Sequence, residues 1–140
     1  MQEQDRRLIA VAEAARSRAY APYSRFYVGA AVRTASGAVY EGANFENGSY
    51  GGTICAERAA VGHAVAHEGD WREGRQIQIV AVAIAARRLG RAIAPQSVPP
   101  CGICRQVLAE FGKNATVFFR YKGELISKTL SDLVPFPFEL

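Results

Sequence analysis

The sequence predicts an α/β fold, a three-layer α/β/α sandwich holding one mixed sheet of about five strands. Three observations carry this. Helical and strand-like segments follow one another in the order helix, hairpin, helix, strand, helix, strand. The run Ile77 to Ala85 is apolar on both faces, as a strand covered by helices on both sides must be. Phe26 to Thr34 and Val39 to Asn44 flank the short Ala35-Ser36-Gly37 connection, so these two strands should pair antiparallel.

Taken in order, Leu8, Val11, Ala12, Ala15 and Ala19 recur at helical spacing and predict an amphipathic helix from Asp5 to Tyr20. Ala21-Pro22 ends it, because proline disfavours helical backbone in the residue before it. After the hairpin, the glycine-rich loop Asn47 to Gly52 leads to an alanine-rich helix from about Cys55 to His67, which stops before Gly69. The central strand Ile77 to Ala85 comes next. Arg87 to Pro100 carries Pro95, Pro99 and Pro100 and reads as a surface loop delivering the chain to a helix from near Cys101 to Gly112. Val117 to Tyr121 forms a strand, Lys122-Gly123 turns, and a short strand follows around Leu125. Thr129-Leu130-Ser131-Asp132 has the spacing of a capping box, with Asp in place of Glu, and predicts a terminal helical turn.

A chain of 140 residues fits one domain, 1–140, large enough to build a core without disulfides. Hydrophobic residues at 49% and charged residues at 21% exclude a wholly disordered or fibrous chain. The net charge, 17 − 13 = +4, gathers around Arg6, Arg7, Arg16 and Arg18 and around Arg87, Arg88 and Arg91. No aromatic residues interleave with these arginines, so solvated faces explain them better than a nucleic-acid site does. The longest apolar stretch, Ile77 to Ala86, is too short to span a bilayer, and Met1 to Asp5 is polar. The expectation is a cytoplasmic protein with neither a membrane nor a nucleic-acid partner.

Cys55, Cys101 and Cys104 are an odd number, which argues against a disulfide framework and for metal or catalytic use. Pro100-Cys101-Gly102-Ile103-Cys104 sets two thiols one turn apart at a helix start, where exposed N–H groups and the helix dipole favour thiolates. Alone, that pattern suits a dithiol redox pair as well as a metal. Cys55 discriminates, since it too opens a helix and is followed at once by Ala56-Glu57-Arg58. Three thiolates on zinc leave the fourth tetrahedral position open, which marks a catalytic rather than a closed structural metal. His63 and His67 share a helix face but lie two turns or more beyond Cys55, so packing or solvation is their default role.

Glu57 suits the first turn of a helix on electrostatic grounds alone. Its adjacency to Cys55 favours a sharper role, a carboxylate that shuttles protons beside the metal. Arg58 could be a solvated helix residue. Yet zinc with three thiolates carries a net negative charge, and an arginine donating to the sulfurs would restore Lewis acidity.

Thr53-Ile54-Cys55-Ala56-Glu57-Arg58 together with Pro100-Cys101-Gly102-Ile103-Cys104-Arg105-Gln106 resembles the homotetrameric, three-cysteine branch of the cytidine deaminases, nearly end to end. The resemblance implies hydrolytic deamination of cytidine or deoxycytidine as part of pyrimidine salvage, with one Zn²⁺ per chain and Glu57 as the proton carrier. It implies that Phe26, in Tyr23 to Ala31, packs against the pyrimidine. Asn44 and Glu46, in Asn44-Phe45-Glu46-Asn47, would bond the sugar 3′-hydroxyl, and the Ala56 N–H the ring carbonyl. Tyr50, in Gly48 to Gly51, and Phe138 would each border a neighbouring subunit's site.

This chain also departs from the family pattern. Ala85-Ala86-Arg87-Arg88-Leu89 and a longer loop replace a short, acid-containing stretch, Gly48 replaces a more usual alanine, and Phe136-Pro137 is atypical. These bear on substrate preference, so a modified cytidine or a nucleoside antibiotic stays open as the substrate. Two further classes stand beside this one: a structural-zinc nucleic-acid module, which needs a fourth protein ligand, and a dithiol redox protein, which leaves Cys55-Ala56-Glu57 unexplained.

Overall fold

The computed structural model describes residues 1–89 and 96–140. Its elements are α1 (Glu3–Ala15), β1 (Phe26–Thr34), β2 (Val39–Ala43), α2 (Ala56–Glu68), β3 (Ile79–Arg88), α3 (Gly102–Gly112), β4 (Thr116–Tyr121), β5 (Glu124–Thr129) and α4 (Leu130–Leu133). The five strands form one sheet in the order β2-β1-β3-β4-β5. Only β3 and β4 run parallel, with α3 in the crossover between them; the other pairs are antiparallel. This is the mixed sheet expected from the alternation of elements.

The layers follow from the side-chain period of two. Ala31, Ala81, Ala83 and Phe118 face α1, packing on Leu8 and Ala12. Ala30, Val32, Val82, Ile84 and Val117 point the other way, toward Ala56, Ala60 and Ala64 of α2 and Leu108 of α3. Removing a leucine or isoleucine such as Leu8, Ile79, Leu108 or Leu130 from water stabilises the fold by roughly 2 kcal/mol each, so these anchors dominate over the alanines around them. The alanines and two glycines instead set how close the layers come. A Cβ on Gly29 would stand 2.1 Å from the Ala12 carbonyl oxygen of α1, and one on Gly42 2.3 Å from the Ala60 nitrogen of α2.

Three elements differ from their sequence expectations. The first helix stops at Ala15 and passes through a 3₁₀ turn, Arg16–Arg18, rather than reaching Tyr20. Tyr20 is taken by the sheet edge instead: its N–H donates to the Asn44 carbonyl at 2.9 Å and it bridges to Phe45. The central strand runs on to Arg88, because β1 offers pairing partners there, Tyr27 to Arg87 and Phe26 to Arg88. Arg87 and Arg88 are therefore strand residues and not loop. Residues 96–100 are irregular as expected, while the rest of that loop, with Arg91 and Pro95, lies outside the described residues. The terminal helical turn forms as α4 with Thr129 at its N-cap, but the capping box does not, because the Thr129 side chain makes no cap bond.

Candidate active site

The sheet brings two helix N-termini together. Cys55 is the N-cap of α2 and Cys101 the N-cap of α3, and both hold extended backbone. Cys104, one turn into α3, is fully buried. The three sulfurs lie within 4.8 Å of one another, and Cys55 Sγ to Cys101 Sγ is 3.9 Å. The Cys104 backbone N–H donates to the Cys101 sulfur at 3.5 Å, and the Arg58 guanidinium donates to Cys55 Sγ at 3.5 Å and to the Thr53 carbonyl at 3.3 Å. Among the described residues, Arg58 Nε is buried without a partner.

This donor set fits a dication. Hydrogen bonding to Cys104, then to Arg58 and Cys101, draws the Cys55 thiol down to about 5 against the cost of its burial. The same pairing with Cys55, followed by burial, pushes Cys104 well above its ordinary value. Cys104 holds a proton that a divalent metal would displace, and a soft set of three sulfurs with one position left over suits zinc.

Glu57 is the second residue of α2 and only 5% exposed. Burial lifts its carboxyl to about 7, and the neighbouring Cys55 thiolate adds to the rise. A carboxyl poised near neutrality can both take and return a proton, which the ordinary acidic value does not allow. Ala56, first in the helix and fully buried, has an N–H with no acceptor inside the helix.

Next to this centre the start of β1 and the end of β2 form a polar rim. Asn44 is 8% exposed and is gripped by backbone: its Oδ1 accepts from the Val28 N–H at 2.8 Å and its Nδ2 donates to the Phe26 carbonyl at 2.9 Å. One amide hydrogen and one lone pair remain for a ligand. Glu46 Oε1 accepts from the backbone N–H groups of Tyr23, at 3.0 Å, and Ser24, at 3.1 Å. Partial burial opposes its ionisation, but the Ser24 hydroxyl and these N–H groups outweigh that and lower the pKa. A cleft of about 330 Å³ opens here, lined by Tyr23, Ser24, Glu46, Tyr50 and Thr53. The Tyr50 ring stands edge-on to Tyr23 at 5.8 Å. Phe26 is partly buried against the core, with the Arg88 guanidinium 5.2 Å from its ring centre.

Residues 2–120 match the cytidine and deoxycytidylate deaminase zinc-binding region. The chain belongs to that deaminase family. The cytidine deaminase of Halalkalibacterium halodurans is 44% identical over 130 residues, spanning 91% of this chain and 89% of that protein. A more distant relative, the blasticidin-S deaminase of Bacillus cereus, is 30% identical over 117 residues, 80% of this chain and 76% of that one. The crystal structure of cytidine deaminase from Burkholderia pseudomallei has the same fold at a TM-score of 0.78 and 38% identity, covering 99% of this chain and 100% of that one.

Set on this deaminase fold, most of the residues singled out in the sequence come together: Cys55, Cys101, Cys104, Glu57 and Arg58 at the helix ends, and Glu46 and Tyr50 on the adjoining cleft. Phe138 stands apart on the C-terminal segment, 69% exposed and tied by its backbone to Gln106 of α3. His63 and His67 turn toward β2, meeting the Tyr40 ring edge-on and tilted, and among the described residues they are not members of the sulfur cluster. Among the described residues no helix is long and apolar enough to cross a membrane. Sequence reasoning missed Tyr23 and Ser24 as the donors that hold Glu46, and it missed the placement of Arg88 over Phe26. The only sequence signal for either was proximity to the quoted motif, because the contacts arise from sheet register.

Proposed function

We propose that this chain is a zinc-dependent nucleoside deaminase converting cytidine or deoxycytidine to the uridine nucleoside and ammonia. The observation that carries the reading is a buried carboxyl near neutrality, Glu57, two residues from one thiol of a three-sulfur cluster. Cys55, Cys101 and Cys104 would hold one zinc ion, which supplies a Lewis acid that makes water nucleophilic near neutral pH. Glu57 takes the proton from the attacking water and delivers it to ring N3 as a C–O bond forms at C4. It then takes the proton of the new C4 hydroxyl and hands it to the exocyclic amine, the C–N bond breaks, and ammonia leaves as the carbonyl forms. Arg58 draws charge from the Cys55 sulfur, and the Ala56 N–H orients the ring carbonyl.

Phe26 supports the ring, while Asn44 and Glu46 donate to and accept from one sugar hydroxyl. Esterifying that hydroxyl in a polynucleotide removes the hydrogen Glu46 needs, so free nucleosides are the substrates. Tyr50 and Phe138 complete neighbouring sites in a homotetramer, consistent with rings that are 75% and 69% exposed in one chain. A second reading, a nucleoside antibiotic as substrate, is favoured by the blasticidin-S relative and by the changed residues after Ala85.

The test is an anaerobic zinc count followed by deamination assays on cytidine, deoxycytidine, cytosine and blasticidin S. One metal per chain and preference for the nucleosides over cytosine are expected. Glu46→Gln should lower kcat/KM on cytidine by roughly a hundredfold and far less on cytosine, because a site built to bond a hydroxyl loses its advantage without it. Equal efficiency on base and nucleoside would refute sugar recognition.

A further inference from the structure

We propose that Arg105 and Gln106 are positioning residues bracing the Pro100–Cys101 peptide against the C-terminal segment, so that the hold on that segment sets how firmly Cys101 retains a metal. The proposal rests on the reading of Cys55, Cys101 and Cys104 as ligands.

Cys101 is the exposed member of the cluster, and Cys104 the buried one. Its sulfur is held from one side by the Cys104 N–H. The peptide in front of it would otherwise lack a restraint, because the Pro100 carbonyl precedes the helix and has no acceptor role within it. Arg105 supplies that restraint. Its Nε donates to the Pro100 carbonyl at 2.8 Å, and its Nη1 donates to the carbonyl of Leu133, the last residue of α4, at 2.7 Å. One rigid guanidinium thus spans two backbone carbonyls 33 residues apart in sequence, one of them in the peptide whose rotation aims the Cys101 Cβ.

Gln106 continues the connection. Its Nε2 donates to the Phe138 carbonyl at 2.8 Å, and its Oε1 accepts from the Phe138 N–H at 3.0 Å, so the side-chain amide pairs with the tail as another strand would. Lys113, the C-cap of α3, forms an ion pair with Glu139 of the tail. From Leu133 to Glu139 the tail is therefore bound along α3 by residues that begin directly after Cys104. Pro100 is itself fully buried, and Val98 N–H donates to the Arg120 carbonyl at 2.9 Å, so the far side of the ligand loop is already fixed to β4. The near side is fixed by Arg105.

The experiment uses the full chain loaded anaerobically with Co²⁺, whose thiolate charge-transfer absorption reports sulfur ligation. Excess EDTA is added and the decay of that band followed, with the thermal midpoint read in parallel. Arg105→Lys keeps the charge but cannot span both carbonyls, and it should release cobalt roughly ten- to a hundredfold faster, the range for groups that orient metal ligands. Gln106→Ala should move in the same direction by less. Deleting residues 136–140 should also speed release, and combining it with Gln106→Ala should add little, because both cut the same link.

A purely structural role would lower the thermal midpoint and leave the release rate unchanged. Wild-type release from folded Arg105→Lys overturns the proposal, as does full additivity of Gln106→Ala with the deletion. Should Arg105→Lys fail to fold, wild-type release from both Gln106→Ala and the deletion overturns it equally. A wild-type chain showing no thiolate band with cobalt overturns the ligand reading, and the brace with it.

Discussion

Glu57 has a titration that can be read through stability as well as catalysis. Its folded value of about 7 lies above the ~4.3 of an unfolded glutamate, so the metal-free native state binds more protons across that window. Its contribution to stability is therefore complete below about pH 4 and is lost as pH rises through about 7. Glu57→Gln removes the titration. The thermal midpoint of the metal-free variant, measured against metal-free wild type, should gain between about pH 4 and about pH 7 and level off above, and a flat difference would contradict the buried carboxyl. At this scale the sequence was most informative. Cysteine spacing, with Glu57 beside Cys55, is local, and local spacing survives folding on helix N-termini. Asn44 shows the limit: the motif marks it, but only the fold reveals that two of its hydrogen-bonding sites go to Val28 and Phe26.

Elements carry the site by how closely they approach. α2 places Cys55, Glu57 and Arg58, and it lies so near β2 that Gly42 has no room for a methyl group. Gly42→Ala should push the helix outward and destabilise the protein by about 3 kcal/mol, and bound metal should fall with it. Gly62, on the same helix, has nothing within 4 Å of an added Cβ. Gly62→Ala should stabilise by about 0.5–1 kcal/mol through helix propensity alone and leave metal binding intact. Thermal unfolding and metal analysis of the pair separate close packing from a general intolerance of alanine. Helix and strand identities were legible from periodicity, whereas their ends were not. β3 reaches Arg88 because β1 pairs with it, and α1 stops at Ala15 because the sheet edge takes Tyr20, both tertiary effects that no window of sequence contains.

At the scale of the whole molecule, the C-terminal segment is tied by its Phe138 backbone to Gln106 and carries outward aromatic rings, Phe136 at 92% and Phe138 at 69% exposure. Burying such rings against another copy removes apolar surface from water, which favours self-association and supports the homotetramer proposed above. Light scattering on an active preparation should give four chains, and one chain would contradict shared sites. Deleting residues 136–140 should lower activity although the sulfur cluster lies elsewhere in the sequence. The mixed sheet was legible as a class because alternating elements admit few layer arrangements, but strand order was not, since it depends on which edges meet. The most direct measurement is a metal count with cytidine turnover on Glu57→Gln. The expected result is zinc still bound, because Glu57 is not a ligand, with activity down at least roughly a thousandfold, because an amide carries no proton between water, ring and amine. Near wild-type turnover in that zinc-loaded variant would contradict the account.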